Sequence, residues 1–324
     1  MASLSGKPSL VARHKKTGRI LAVGSEAKQM EGRTPDFLET LHPLRDGVIA
    51  DFDVTAAMLR IFLKKALRGR KFVQPTLVVS VPCGVTAVER RAVIDAATQA
   101  GARDAYLIEE PLAAALGADM PVREAAGNMV VDLGGGSTEL VLGGDGIDAP
   151  STQVQAAFSM DIGSVRMTER HLRHDPPSET EIAEAIADID EHIDEAFRTV
   201  PAGRTRTIIG VSGTVTTMSA LALGLKEYDH RRVDGVRIPV DDAYAVDDRF
   251  LRMTREQRRA YKTIHPGRID VVGGGAVVWN RVLAKVAQAA AADHGGVIDS
   301  YVASEHGLLD GIVLDCGRRL LAER

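Results

Sequence analysis

Asp132 and Glu139 stand on either side of a glycine turn, Gly134-Gly135-Gly136-Ser137-Thr138, inside the run Met129 to Leu142. Apolar, β-prone residues flank the turn, so the run predicts a hairpin whose tip can bring backbone N–H groups close to an anion, because no Cβ blocks the approach. A phosphate fits such a nest, and two carboxylates beside it suit a hydrated Mg²⁺ ion. Two more turns follow the same plan. Thr207 to Val211 reads as a strand entering Ser212-Gly213-Thr214, and Ile269 to Val272 as a strand entering Gly273-Gly274-Gly275-Ala276. Each turn opens a helix and so offers free N–H groups and a positive dipole end to a phosphate or ribose. One glycine turn alone is equally an ordinary capped hairpin; three, with acids beside the first, favour phosphate.

The elements that must carry these groups alternate. Pro8 to Arg13 and Arg19 to Val23 predict two short strands about a His14-to-Gly18 turn, and an irregular stretch follows from Thr34-Pro35 to Asp51. A helix is predicted from Val54 to Arg68, capped by Asp53, with Met58, Leu59, Ile61 and Phe62 as its apolar stripe. The cations at its end, Lys64, Lys65, Arg68, Arg70 and Lys71, could attract an anionic polymer, but cations complement a helix C-terminus in any case and that reading is preferred. Leu77 to Val81 reads as a buried parallel strand ending at Pro82-Cys83-Gly84, and a helix from Val88 to Ala100 has the capping box Thr86 to Glu89 and the stop Gly101. The strand Ala105 to Ile108 delivers Glu109 and Glu110 at its carboxyl end, where open α/β sheets place their chemistry. Either acid can instead cap the helix that Pro111 starts.

Further on, Val154 to Phe158 predicts a strand, and Asp161 to Arg166 leads into a helix that Asp175-Pro176-Pro177 ends. Ser178 and Glu181 form a second capping box, followed by the stripe Ile182, Ile186, Ile189, Ile193 and Phe197. The polar segment Tyr228 to Gly267 reads as covering helices and loops, and Ser304 as the cap of a last helix.

A chain of 324 residues, 45% hydrophobic and 26% charged, can bury a core for two domains. A net charge of −4 and 4% aromatic residues argue against a nucleic-acid groove. Cys83 and Cys316 lie far apart, outside any Cys/His cluster, and no run approaches a membrane span or a secretory leader. A cytoplasmic protein is expected.

These turns resemble the superfamily of actin, sugar kinases and heat-shock chaperones. From about Gly127 onward the chain is similar to the Ppx/GppA exopolyphosphatase and guanosine pentaphosphate phosphohydrolase family. The carriers are Val131 to Leu140, Asp161 to Arg166, Val211 to Thr217, Glu227-Tyr228-Asp229, His265-Pro266-Gly267-Arg268 and Ser304-Glu305-His306-Gly307. The first third instead resembles the bacterial actin MreB, through Ala22-Val23-Gly24, Ala27 to Met30, Gly32 to Pro35, Asp46 to Phe52, Val88 to Arg91 and Ile108-Glu109-Glu110-Pro111.

The resemblance implies an actin-like (ribonuclease H-like) α/β fold, with an MreB-like domain over 1–127, a Ppx/GppA-like domain over 128–303 and a C-terminal helix over 304–324 packing back toward the first. It also implies an opening hairpin with an Asp-x-Gly phosphate loop, and no Asp-x-Gly followed by Ser or Thr occurs near the N-terminus. On that pattern the first domain is incomplete at the middle of its sheet, which predicts unpaired strand edges and self-association. The implied chemistry is Mg²⁺-dependent release of terminal phosphate from polyphosphate or pppGpp. Glu110 would be the base, Asp132 and Glu139 the metal ligands, Gly134 to Thr138 and Ser212 to Thr214 the phosphate cradle, and Gly273 to Ala276 the nucleotide or distal-phosphate side. Arg166 is either an anion partner or part of a structural ion pair. Two other expectations are an actin-like filament protein binding an adenine or guanosine nucleotide, and an inactive phosphate binder.

Overall fold

The structure is a computed structural model and describes residues 9–45, 48–68, 70, 73–83, 85–118, 127–143 and 154–322. Pro8, Lys71 and Gly84 lie outside the described residues. The chain divides into two compact units, Met1–Glu109 and Glu110–Arg324.

In the first unit, β1 (Val11–His14) has β2 (Ile20–Val23) on one edge and β3 (Leu38–Leu41) on the other, both antiparallel. Helix α1 (Ser25–Met30) lies between β2 and β3, and the two-residue strands β4 (Leu44–Arg45) and β5 (Val48–Ile49) pair with each other. The sequence reads much of this stretch as irregular because elements of two to six residues complete no hydrophobic period. Helix α2 (Phe52–Ala66) is capped by Asp51, whose carboxylate accepts the Val54 N–H at 3.0 Å. Asp53, the expected cap, sits in the first turn. Helix α3 (Ala87–Ala100) has the expected Thr86–Glu89 box, and Gly101 ends it in the left-handed region at φ 111°. Strands β6 (Thr76–Val81) and β7 (Asp104–Glu109) pair in parallel, but only with each other among the described residues. Most of β6 is consequently half-buried rather than buried as its apolar run predicts, since a strand with one neighbour has one bare edge.

The second unit opens with α4 (Glu110–Gly117) and is built on one mixed sheet of β8 (Asn128–Leu133), β9 (Thr138–Gly143), β10 (Val154–Met160), β11 (Thr207–Val211), β12 (Arg237–Pro239) and β13 (Ser300–Ala303). The strand order is β10-β9-β8-β11-β13-β12, and β8, β11 and β13 run parallel. Helices α5 (Ser164–Arg170), α6 (Glu179–Thr199), α7 (Ser212–Ala222), α8 (His230–Val233), α9 (Val240–Leu251), α10 (Arg255–Arg259), α11 (Val272–His294) and α12 (Leu308–Ala322) complete it. Leu133, Leu140, Ile189, Ile193, Val282 and Trp279 meet in the main core, where Trp279 and Tyr301 pack edge to face at 4.9 Å.

Two expectations fail here. Ile269–Val272 is no strand: Pro266–Arg268 forms a 3₁₀ turn and α11 starts at Val272. The interior strand β13, by contrast, has no counterpart in the sequence reading; four residues after a Gly295-Gly296 pair show no alternation to read. Ser304 caps its own turn, exchanging hydrogen bonds with His306, while the Gly307 N–H goes to Asp310 at 3.1 Å.

The seam between units falls before α4 rather than near Gly127, because α4 packs on α12 and on β8, β9 and β10. Helices α4 and α12 touch through glycine. A Cβ on Gly117 would stand 1.8 Å from the Gly307 carbonyl oxygen, and one on Gly311 1.7 Å from that of Ala113. Gly311→Ala is therefore expected to cost about 2 kcal/mol or more. Thermal unfolding should show a Tm lower by roughly 4–8 °C; an unchanged Tm would contradict this backbone approach.

Candidate active site

Parallel strands β8, β11 and β13 end at one edge of the sheet, and the residues that follow them gather there. Asp132 and Gly134 come from the end of β8, Ser212 follows β11, and Glu305 follows β13. Crevices at the carboxyl ends of parallel strands are open because helices start and leave from them. Here the crevice is a cavity of about 400 Å³ whose lining includes Glu110, Asp132, Ser137, Glu139, Ser212, Glu305 and Asp310. All of these residues belong to the second unit. Glu110 reaches it as the first residue of α4.

The hairpin forms as expected, and its register sets Asp132 directly across from Glu139. Burial, reinforced by the charges of Glu139 and then Glu110, pushes the Asp132 carboxyl up to about 7. Glu139 is also raised by burial, an effect opposed by hydrogen bonds from Ser137 and from the Ser159 hydroxyl at 2.8 Å. A buried carboxyl held up by two neighbouring acids in a partly dry cavity makes a place whose charge favours a cation. Among the described residues no group of three His, Cys, Asp or Glu side chains makes a ready cage. Asp132 and Glu139 nevertheless suit Mg²⁺, which keeps several waters and needs only one or two carboxylates.

The hairpin tip is held from behind. The carbonyls of Gly134 and Gly135 accept the first N–H groups of α5, and the Gly136 carbonyl accepts Arg166 Nε at 2.7 Å. Gly163 permits this approach, since a Cβ there would lie 2.5 Å from the Gly135 carbonyl oxygen. With its carbonyls engaged, the tip leaves the N–H groups of Gly135, Gly136 and Ser137 without partners among the described residues. Arg166, which also faces Asp161 at 3.5 Å, is thereby structural. Thr138 is buried, with its hydroxyl donated to the Ile162 carbonyl at 2.7 Å, so it holds the loop rather than a phosphate.

Ser212 is a non-glycine residue at φ 80°, a strained geometry that the surroundings must enforce. Its hydroxyl donates to the Leu133 carbonyl at 2.6 Å and ties the start of α7 to the end of β8. Ser212 and Glu305 also line a second cavity, of about 530 Å³, together with Gly213, Thr217, Tyr228, Lys262 and Arg268. A Cβ on Gly213 would fall 1.7 Å from Arg268 Nη2, so the glycine is what lets the guanidinium lie against the α7 N-terminus. A cation at the positive end of a helix is unfavourable alone, and an anion between them resolves it. The Tyr228 hydroxyl donates to Glu305, and burial with that bond holds the phenol well above its usual range.

Several expected site residues stand elsewhere. Thr214 is buried with its methyl against Gly275, because the helical turn directs Gly213, Thr216 and Thr217 toward the cavity instead. Gly273, Gly274, Gly275 and Ala276 are buried in the first turns of α11. Cβ atoms on Gly274 and Gly275 would strike Thr168 and Thr214 at 2.3 and 2.4 Å, so these glycines serve helix packing, not a phosphate turn. Glu109 pairs with Arg90 rather than capping α4. Arg268, Tyr228, Lys262, Glu305 and Asp310 have no site role in the sequence reading, although all but Lys262 and Asp310 lie in motifs that carry the family resemblance.

Comparison with known proteins follows this division. The MreB/Mbl family profile matches residues 3–161 and the Ppx/GppA phosphatase family profile residues 107–315, so Glu110 and the glycine hairpin lie where both match. Exopolyphosphatase 2 of Mycobacterium tuberculosis is 44% identical over 186 residues, 57% of this chain and 54% of that protein. Cell shape-determining protein MreB of Escherichia coli is 51% identical over 142 residues, 42% of this chain and 41% of that one. The chain thus spans about half the length of the curated relatives it matches. The crystal structure of an exopolyphosphatase-like protein is 58% identical, with a TM-score of 0.68 and 85% of each chain covered. MreB5 of Spiroplasma citri bound to ADP, 21% identical, shares the fold with a TM-score of 0.51 over 63% of this chain and 77% of its own. The fold is actin-like, and the chain belongs to the Ppx/GppA phosphatase family.

Proposed function

We propose that the chain is a Mg²⁺-dependent phosphohydrolase that removes the terminal phosphate of polyphosphate or of pppGpp. The observation that carries this is the convergence of Glu110, Asp132, Glu139, Ser137 and Ser212 on one cavity. The terminal phosphoryl group lies against the free N–H groups of the hairpin tip and Ser212, which stabilise charge on its oxygens. Glu110 orients a water and takes its proton as the water oxygen bonds to phosphorus. The bridging P–O bond breaks, and its electron pair leaves on the shortened chain. Arg268, at the α7 N-terminus, holds the phosphates next in line. Mg²⁺ bound through Asp132 and Glu139, mostly by way of water, would offset the charge that phosphate oxygens bring among the acids.

Phosphate release should be measured with Mg²⁺ on polyphosphate, pppGpp and ATP. Release from either of the first two that is lost with EDTA is the expected result; release from none would overturn the reading. The match to MreB supports a second reading, a nucleotide-driven filament, for which ATP-dependent sedimentation without phosphate release from polyphosphate would be diagnostic. Turnover that depends on Asp132 would eliminate an inactive phosphate binder. The edges of β6 and β7 that have no strand partner among the described residues also support self-association, and a monodisperse monomer in sedimentation would oppose it.

A further inference from the structure

The turn Ser304-Glu305-His306-Gly307, between β13 and α12, is closed by side chains. The Ser304 hydroxyl donates to the His306 carbonyl at 2.9 Å and accepts the His306 N–H at 3.1 Å. Two carboxylates take the N–H groups on either side of His306. Asp234, at the C-terminal end of α8, accepts that of Glu305 at 3.0 Å, and Asp310 accepts that of Gly307 at 3.1 Å.

The His306 ring lies between the same two carboxylates, with Nδ1 3.3 Å from Asp310 Oδ1 and Nε2 3.6 Å from Asp234 Oδ2. A neutral imidazole donates through one nitrogen and turns a lone pair toward the other acid, so only the imidazolium suits both neighbours. The charged groups that face the ring are Asp310, Asp234 and Glu305, from α12, the end of α8 and the turn itself. The bond to Asp310, with the charges of Asp234 and Glu305, holds the ring above its ordinary value of 6.5, although burial opposes this. Glu305 and Asp310 also line the cavity that contains Glu110 and Asp132, and Glu305 lines the next one. The charge on His306 is therefore set in the wall of the site.

We propose that His306 is a positioning residue whose imidazolium clamps Asp234 to Asp310 and offsets the negative charge that these acids and Glu305 turn toward an incoming phosphate chain. It acts through the acids and touches no reacting atom. Loss of its proton frees the turn and restores the repulsion, so phosphate binding weakens as pH rises through the titration of this ring. The inference rests on the phosphohydrolase reading for its ligand.

The test follows tripolyphosphate on the full chain with Mg²⁺, by calorimetric binding and by phosphate release, from about pH 6 to about pH 9, the span in which a raised histidine loses its charge. Each variant is compared with the parent at the same pH, which cancels every other titration. His306→Gln should bind about three- to fivefold more weakly at the acid end, the worth of one exposed charge contact, and equal the parent at the alkaline end. His306→Arg keeps a permanent cation, so it should equal the parent at the acid end and bind tighter by the same factor at the alkaline end. KM should follow Kd, and kcat should match the parent's in both. His42→Gln removes a similarly exposed histidine from the first unit and should equal the parent throughout. Variants of His306 that bind like the parent, or differ from it by one factor at every pH, would refute the role, since a merely structural turn residue gives no pH-dependent ratio. If tripolyphosphate is not turned over yet binds with these ratios, the hydrolytic reading fails while the role of His306 stands. If it does not bind at all, both fail.

Discussion

Glu110→Gln is expected to lower kcat for phosphate release by a factor of about 10²–10⁴ while leaving the fold and substrate binding intact. The amide keeps the size and hydrogen-bonding reach of the carboxyl but cannot take the proton of the attacking water. Glu110 begins α4 at the rim of the cavity, so the change leaves the α4–α12 contact at Gly117 and Gly311 undisturbed. It also removes one of the two neighbouring charges that raise Asp132, so the variant should bind phosphate chains at least as well as the parent. The measurement is a pair: Michaelis kinetics for rate, and calorimetry for binding. A variant that releases phosphate at the parent's rate would remove Glu110 from the chemistry. A variant that fails to bind would make it a ligand-holding group instead.

Asp132→Asn should have two effects of opposite sign. Activity should fall by a factor of at least about 10², because the cavity loses its most central carboxylate and a Mg²⁺ ligand. Stability without metal should rise. The folded protein holds Asp132 up at about 7 against an ordinary value of 3.8, so it favours the protonated form. The stability linked to this group is full below pH 3.8 and is lost as pH rises toward 7. Its loss in the metal-free parent is on the order of 2 kcal/mol, after allowance for the opening of the site to solvent. Asparagine has no charge to form, so in EDTA the variant should keep its Tm across that range while the parent's declines. Added Mg²⁺ should stabilise the parent near neutral pH and leave the variant unmoved. Parallel pH profiles for the two proteins would show that Asp132 does not bear this repulsion.

Much of the fold was legible because its signals are local. The Thr86–Glu89 and Ser178–Glu181 boxes, the stripe from Ile182 to Phe197 and the apolar, β-prone runs about Gly134 to Ser137 each fix an element through neighbours in sequence. Strand β13 was not legible. Its four residues form an element only because β11 and β12 pair with them across the sheet. The same distinction separates the site residues. Asp132, Glu139, Ser212 and Glu110 announce themselves at strand ends. Glu305 enters the site through the parallel order of β8, β11 and β13, and Arg268 through a 3₁₀ turn lying against the start of α7, neither of which a local pattern encodes. Glycine misled in the opposite direction. Gly273 to Gly275 look like a phosphate turn, yet Gly274 and Gly275 let α11 press against α5 and α7 while Gly273 admits Arg258 of α10, and a single sequence carries no mark of which purpose a glycine serves.

The central claim is that one cavity at the carboxyl edge of the second unit's sheet holds the end of a phosphate chain. A crystal structure of the Glu110→Gln protein with Mg²⁺ and tripolyphosphate tests it most directly. The expected density places the terminal phosphoryl group between the Gly135–Ser137 amides and Ser212, with the next phosphates toward Arg268. Tripolyphosphate bound away from Asp132 and Ser212, with that cavity filled only by water, would contradict it.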